Sequence, residues 1–135
     1  MADEAKIVTL LGNGGDPVEY TVATGTAIVK GELGELEDNS GAKKVSGAGV
    51  VLVGIATADK STTDGITVMS YITHAVIRVK VSSGGTSVLG SYVRSASTDN
   101  TVTVATTLDN ETGKGLGKSL QTGGNSEEID VLMNL

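Results

Sequence analysis

Residues 74–81 read HAVIRVKV, and they point to the fold class because apolar and polar side chains alternate along them. In an extended chain, successive side chains point to opposite faces. One face would carry Ala75, Ile77, Val79 and Val81, and the other His74, Val76, Arg78 and Lys80. β-Branched residues, which suit a pleated surface, are frequent in the stretch. It therefore predicts a β-strand that buries one face.

The same pattern recurs on both sides of this stretch. Further strands are predicted at 6–11, 18–23, 66–73, 101–106 and 128–135, and residues 27–36 (AIVKGELGEL) are strand-like but interrupted twice by glycine. Turn-forming residues separate these runs at 12–17, 38–41, 64–65, 83–85 and 122–125. Short strands at spacings of roughly 10 residues are typical of a sandwich or small barrel. We predict an all-β fold with little helix, in which residues 107–112 form one short helix or a turn.

The first 24 residues differ in kind from the rest. An acidic start leads into one strand, a glycine-rich break surrounds the single proline, Pro17, and a second strand ends before Gly25. This order predicts an N-terminal arm or hairpin at residues 1–24, attached to a compact β domain at residues 25–135.

The composition leaves the core to aliphatic side chains. The 135 residues include no Trp, no Phe and three Tyr, together with 19 Gly. Aliphatic side chains bury less area each than aromatic ones, and glycine raises the entropy lost on folding. We therefore expect a marginally stable monomer that gains stability by forming an oligomer.

Charge and cysteine content exclude several classes of partner and site. A net charge of −6 argues against nucleic acid, whose binding depends on clustered Lys and Arg. The absence of cysteine rules out disulfides, thiolate catalysis and zinc–thiolate sites. No apolar run approaches the roughly 20 residues of a membrane helix, and the start of the chain has no export signal. The sequence predicts a soluble protein that binds neither nucleic acid nor membrane.

Three features resemble chemical sites but fit the usual patterns poorly. Residues 113–119 (GKGLGKS) nearly spell a phosphate-binding loop, but Thr112 occupies the place of its first glycine, which favours a glycine-rich strand and turn. A small hydrolase would depend on His74, the only histidine. The acidic segments 35–38 and 109–111 lack the pattern of a calcium loop, so they are interpreted as solvated turns. We therefore predict no catalytic, cofactor-binding or metal-binding residues.

Several stretches resemble one known family. They are 4–13 (EAKIVTLLGN), 17–23 (PVEYTVA), 25–33 (GTAIVKGEL), 54–60 (GIATADK) with Asp64-Gly65, 117–121 (GKSLQ) and 128–132 (EIDVL). Together they are similar to the capsid decoration, or cement, proteins of tailed bacteriophages and related viruses. The chain departs from that family after residues 71–74, where Ala75, Val76 and Ile77 stand in place of a glycine followed by an aromatic residue.

The resemblance implies a structural role without enzymatic activity. Members of this family bind the outer surface of the capsid in many copies, commonly as homotrimers at local three-fold positions. For this chain the resemblance implies the major capsid protein and other copies of itself as partners. It also implies synthesis in the host cytoplasm, a final location on the outer capsid surface, and a shell stabilised against internal DNA pressure.

The N-terminal arm is the candidate for contact with the capsid or with another subunit. Ile7, Val8, Leu10 and Leu11 are predicted to add a strand to an exposed edge of a neighbour, and Tyr20 in the next strand is included as a contact residue. The arm is equally well interpreted as an internal edge strand. The alternative function is a β-rich receptor-binding or glycan-binding module of a viral or cell-surface fibre, which would need an exposed aromatic or a metal-bearing patch.

Overall fold

The computed structural model describes residues 4–10 and 17–135, and within them the prediction of an all-β fold with little helix is confirmed. The strands are β1 (Lys6–Leu10), β2 (Val18–Thr21), β3 (Leu33–Glu37), β4 (Gly41–Lys44), β5 (Leu52–Ala56), β6 (Val68–Ile72), β7 (His74–Val81), β8 (Thr86–Ser87), β9 (Tyr92–Ser95), β10 (Thr101–Val104), β11 (Gly115–Ser119), β12 (Gly123–Gly124) and β13 (Glu128–Asn134). The helix, α1, is one short segment, Thr107–Glu111. Strands occupy 48% of the structure and helix 4%, so β-sheet pairing determines the architecture.

The first barrel closes in the strand order β2-β4-β3-β5-β6. Its pairs are antiparallel except for a short parallel contact between Thr21 of β2 and Gly41 of β4. Small and aliphatic residues fill the interior around a buried tyrosine, Tyr71. A Cβ on Gly34 would lie 2.5 Å from Cε2 of that ring, so glycine is required where β3 passes the tyrosine.

The second barrel closes through β7, which pairs with β13 on one side and with β10 on the other. The ring continues through β9 and β11 back to β13. The alternation predicted for residues 74–81 is confirmed, because Ala75, Ile77, Val79 and Val81 are buried inside this barrel while the intervening side chains lie on its outside. Strand β1 stands outside the closed ring and pairs with β7 alone.

The two barrels pack against each other. Leu33, Leu52 and Ile55 of the first barrel belong to the same buried cluster as the interior of the second. Asn100, which follows the loop after β9, bridges them: its Oδ1 accepts the Leu33 N–H at 2.6 Å and its Nδ2 donates to the Gly31 carbonyl at 3.1 Å. The Asn100 carboxamide therefore hydrogen-bonds across the interface, or seam, between the two barrels, where strand pairing does not join them.

Two segments whose secondary structure was uncertain from the sequence are defined in the structure. Residues 107–111 form a helix, which begins with a capping box between Thr106 and Asp109. Most of the segment that resembles a phosphate-binding loop is strand β11, which agrees with the prediction of a glycine-rich strand.

In the described residues β1 and β2 pair with different barrels, β1 with β7 and β2 with β6 and β4. The domain boundary at residue 24 stays a prediction.

Candidate docking surface beside the N-terminal strand

Strand β1 joins the second barrel by one edge only. Lys6 and Ile7 pair with Arg78 and Ile77, and after a bulge at Val8 the register continues with Thr9 opposite Val76. The opposite edge of β1 pairs with no other strand in the part of the chain that the structure describes. Exposed strand edges carry N–H and C=O groups that can pair with another chain.

The backbone just before β1 shows which way this open edge faces. The Ala5 N–H donates to the Gly31 carbonyl at 2.8 Å, on the side away from β7. Backbone groups at alternate residues of a strand point to the same side. The N–H of Ile7 therefore also points away from β7, toward the loop that carries Lys30 and Gly31.

A cleft of about 380 Å³ lies along this edge. Its lining residues are Ala5, Lys6, Ile7, Lys30, Gly31, Ile55 and Ala56. Ile7 is 38% exposed, which is high for an aliphatic side chain beside a barrel. Gly31 has φ +91°, and a Cβ there would lie 2.6 Å from the Ala5 carbonyl, so glycine lets the arm lie close to the first barrel.

The structure places the predicted contact residues in two different regions. Ile7 lies in β1 at the cleft, and Val8 and Leu10 lie in the same strand, where only their backbone is described. Leu11 lies outside the described residues. Tyr20 lies in β2 of the other barrel, where its half-buried ring packs edge-on against Tyr71, with ring centroids 5.8 Å apart. Their contact with a capsid or a subunit stays a prediction.

A buried carboxyl group next to the cleft was not singled out from the sequence. Glu32 follows Gly31, is almost fully buried, and its Oε2 has no hydrogen-bond partner among the residues that the structure describes. Burial raises the pKa of this carboxyl above its usual value, although the Val29 backbone amide and Lys44 act in the opposite direction. Burial and the nearby Glu32 charge also raise the pKa of Tyr71 to about 12. No local sequence pattern distinguishes this glutamate from an exposed one.

The buried ammonium group of Lys60 was also missed. Its side chain is 0% exposed, and its Nζ donates to the carbonyls of Thr24 at 2.7 Å, Thr26 at 2.8 Å and Ser61 at 3.2 Å. An ammonium has three N–H donors, so these bonds use all of them. The Lys60 side chain therefore links the loop before β3 to the loop before β6.

The chemical candidates from the sequence occupy ordinary structural positions. His74 is the partly exposed first residue of β7. Glu35 and Glu37 lie in strand β3 rather than in a turn, and Lys43 lies 3.9 Å from each of them. Asp109 caps α1 and lies 3.2 Å from Nε of Arg94. Among residues 4–10 and 17–135, no three His, Cys, Asp or Glu side chains are grouped so that they could hold a metal ion.

The described chain also contains no helix with the length and apolar character needed to span a bilayer. Comparison with known proteins gives no match, either to a protein-family model or to a curated protein. The similarity to capsid decoration proteins therefore stays a prediction that depends on the stretches quoted above.

Proposed function

We propose that this chain is a structural virion protein that binds the outer surface of a capsid and cements neighbouring capsomers. The observation that carries the proposal is the open edge of β1. Its backbone groups face a partly apolar cleft, while the other strands of that six-stranded sheet form a closed ring. The proposal also depends on the similarity of several stretches to capsid decoration proteins, none of which is a catalytic motif.

The proposed mechanism is strand addition. A segment of the major capsid protein pairs with the free edge of β1, and Ile7 is buried between that segment and the cleft. If the protein assembles as a homotrimer, three such contacts act together, so each can be weak while the whole trimer stays bound. A shell under internal DNA pressure must then break these contacts before its capsomers separate.

Co-sedimentation with capsid shells that lack the protein tests the proposal. We expect binding to saturate at a fixed number of copies per major capsid subunit, and the decorated shells to resist heat better than bare ones. Failure of the wild-type protein to bind intact shells would contradict the capsid role and favour the receptor-binding or glycan-binding alternative.

Point variants then test whether the cleft beside β1 is the surface that binds the shell. Ile7→Ala should weaken shell binding by about tenfold or more, because burying an isoleucine side chain contributes about 1.5–3 kcal/mol. Leu36→Ala is the matched control, since Leu36 is an exposed aliphatic residue of β3, at 46%, that does not line the cleft. Equal loss in both variants would show that β1 is not the docking edge, even if the wild-type protein binds shells.

A further inference from the structure

A second cleft, of about 330 Å³, lies at the other end of β5 from the docking cleft. Its lining residues are Leu52, Tyr92, Asn110, Gly113, Gly115, Asn134 and Leu135. They come from the first barrel, from the second barrel, and from α1 with the turn that follows it. The cleft therefore combines three separate parts of the fold, at the small end of the range of about 300–1,000 Å³ typical of ligand pockets.

The lining offers an aromatic ring and two carboxamides but no charged side chain. Tyr92 is 39% exposed, whereas Tyr20 is half-buried and Tyr71 is fully buried, so the most exposed of the three aromatic residues lies in this cleft. The side chains of Asn110 and Asn134 make no hydrogen bond to other described residues. Each carboxamide thus retains a donor and an acceptor for a ligand.

The surrounding backbone places the side chain of Asn110 beside the ring of Tyr92. A Cβ on Gly115 would lie 2.5 Å from Asn110 Oδ1 and 3.4 Å from Tyr92 Cδ2, so only glycine leaves room for the carboxamide there. Asn110 belongs to α1, whose start is fixed by the capping box and by the contact of Asp109 with Arg94. Gly113, with φ +79°, turns the chain from α1 into β11. The fold therefore places the ring and the carboxamide next to each other, on either side of Gly115.

We propose that this cleft binds the ring of a neutral sugar. The C–H face of a pyranose would stack on Tyr92, while its hydroxyl groups hydrogen-bond to the carboxamides of Asn110 and Asn134. None of the lining side chains is charged, so none of them offers the charged partner that burial of a phosphate, carboxylate or cation needs. The inference is independent of the capsid role: a decoration protein with this site would also attach its particle to glycans.

Titration of the ¹⁵N-labelled protein with the methyl glycosides of glucose, galactose, mannose and N-acetylglucosamine tests the site. We expect at least one glycoside to give saturable shifts at the amides of residues 92, 110, 113, 115 and 134. Tyr92→Ala and Gly115→Ala should each weaken that binding by about tenfold or more, since the first removes the ring and the second displaces Asn110. Tyr92→Phe keeps the ring and should bind nearly as well as the wild type.

Leu36→Ala, which changes an exposed residue outside this cleft, should leave the titration unchanged. Absence of saturable shifts with all four glycosides would overturn the proposal. So would shifts at amides away from the cleft, or unaltered binding by a folded Tyr92→Ala variant. Because no capsid is used, these outcomes are separate from failure of the proposed capsid role.

Discussion

Asn100 is the residue whose replacement should most directly weaken the seam between the two barrels. Its buried carboxamide accepts from Leu33 at 2.6 Å and donates to the Gly31 carbonyl at 3.1 Å. Its backbone has φ +63°, in the left-handed region that asparagine and glycine tolerate. Asn100→Gly therefore removes the carboxamide while keeping a residue that accepts this backbone conformation.

The expected cost is worked out from the hydrogen bonds to Leu33 and Gly31. The Leu33 N–H is left buried without its partner, at about 1–3 kcal/mol, while the Gly31 carbonyl still accepts from Ala5, so that loss costs about 1 kcal/mol. The total is about 3 kcal/mol, which for a chain of 135 residues lowers Tm by roughly 10 °C. Asn100→Ala should cost about 1 kcal/mol more, because alanine is strained at positive φ.

Urea unfolding followed by far-UV circular dichroism and by tyrosine fluorescence measures this effect. Tyr20 and Tyr71 lie in the first barrel and Tyr92 in the second, so tyrosine fluorescence reports on both barrels, and its coincidence with circular dichroism tests whether the chain unfolds in one step. Asn39→Gly is the matched control, because Asn39 is exposed and has φ +62°. If Asn100→Gly costs no more than Asn39→Gly, the carboxamide does not hold the seam and the reasoning is wrong.

Two further predictions concern the buried charged residues. Lys60→Met should lower the free energy of unfolding by about 3 kcal/mol or more, because three carbonyls lose a buried donor. Urea unfolding measures this loss, and Lys118→Met, which changes an exposed lysine, is the control. Because the pKa of Glu32 is raised in the folded state, its contribution to stability is fully present below the usual glutamate pKa of about 4.3 and is lost as pH rises through the raised value. Glu32→Gln should therefore lose less stability than the wild type between about pH 4 and pH 7. Parallel pH dependence of unfolding in the two proteins would contradict this.

The sequence predicted the parts of the fold that depend on local pattern. Strand β7 followed from the alternation of Ala75, Ile77 and Val79, since a period of two identifies a half-buried strand without knowledge of its partners. Closure into two barrels did not follow, because the pairing of β7 with both β10 and β13 joins segments that are far apart in sequence. Strand spacing alone is compatible with either a sandwich or a barrel.

The candidate sites were harder to predict because their residues look ordinary in sequence. Ile7 was identified from its apolar neighbours, but the cleft beside it depends on Gly31, which lies in another part of the chain. The sequence did not indicate that the ring of Tyr92 is exposed, since tyrosine occurs both in protein interiors and on protein surfaces. The burial of Glu32 and Lys60 depends on contacts between distant loops, which side-chain chemistry alone does not reveal.

Barrel closure gives a physical reason to look for attachment at β1. A closed ring of strands satisfies most of its backbone groups internally, whereas an exposed strand edge can pair with another chain. In the second sheet β7, β10, β9, β11 and β13 form such a ring, and β1 is the strand outside it. A protein with a small aliphatic core gains little from a strand that is paired on one edge only and carries an exposed isoleucine, and it risks aggregation through the open edge. Under the proposed function a segment of a partner pairs with this edge, and the shell-binding measurements on Ile7→Ala and Leu36→Ala are designed to detect that pairing.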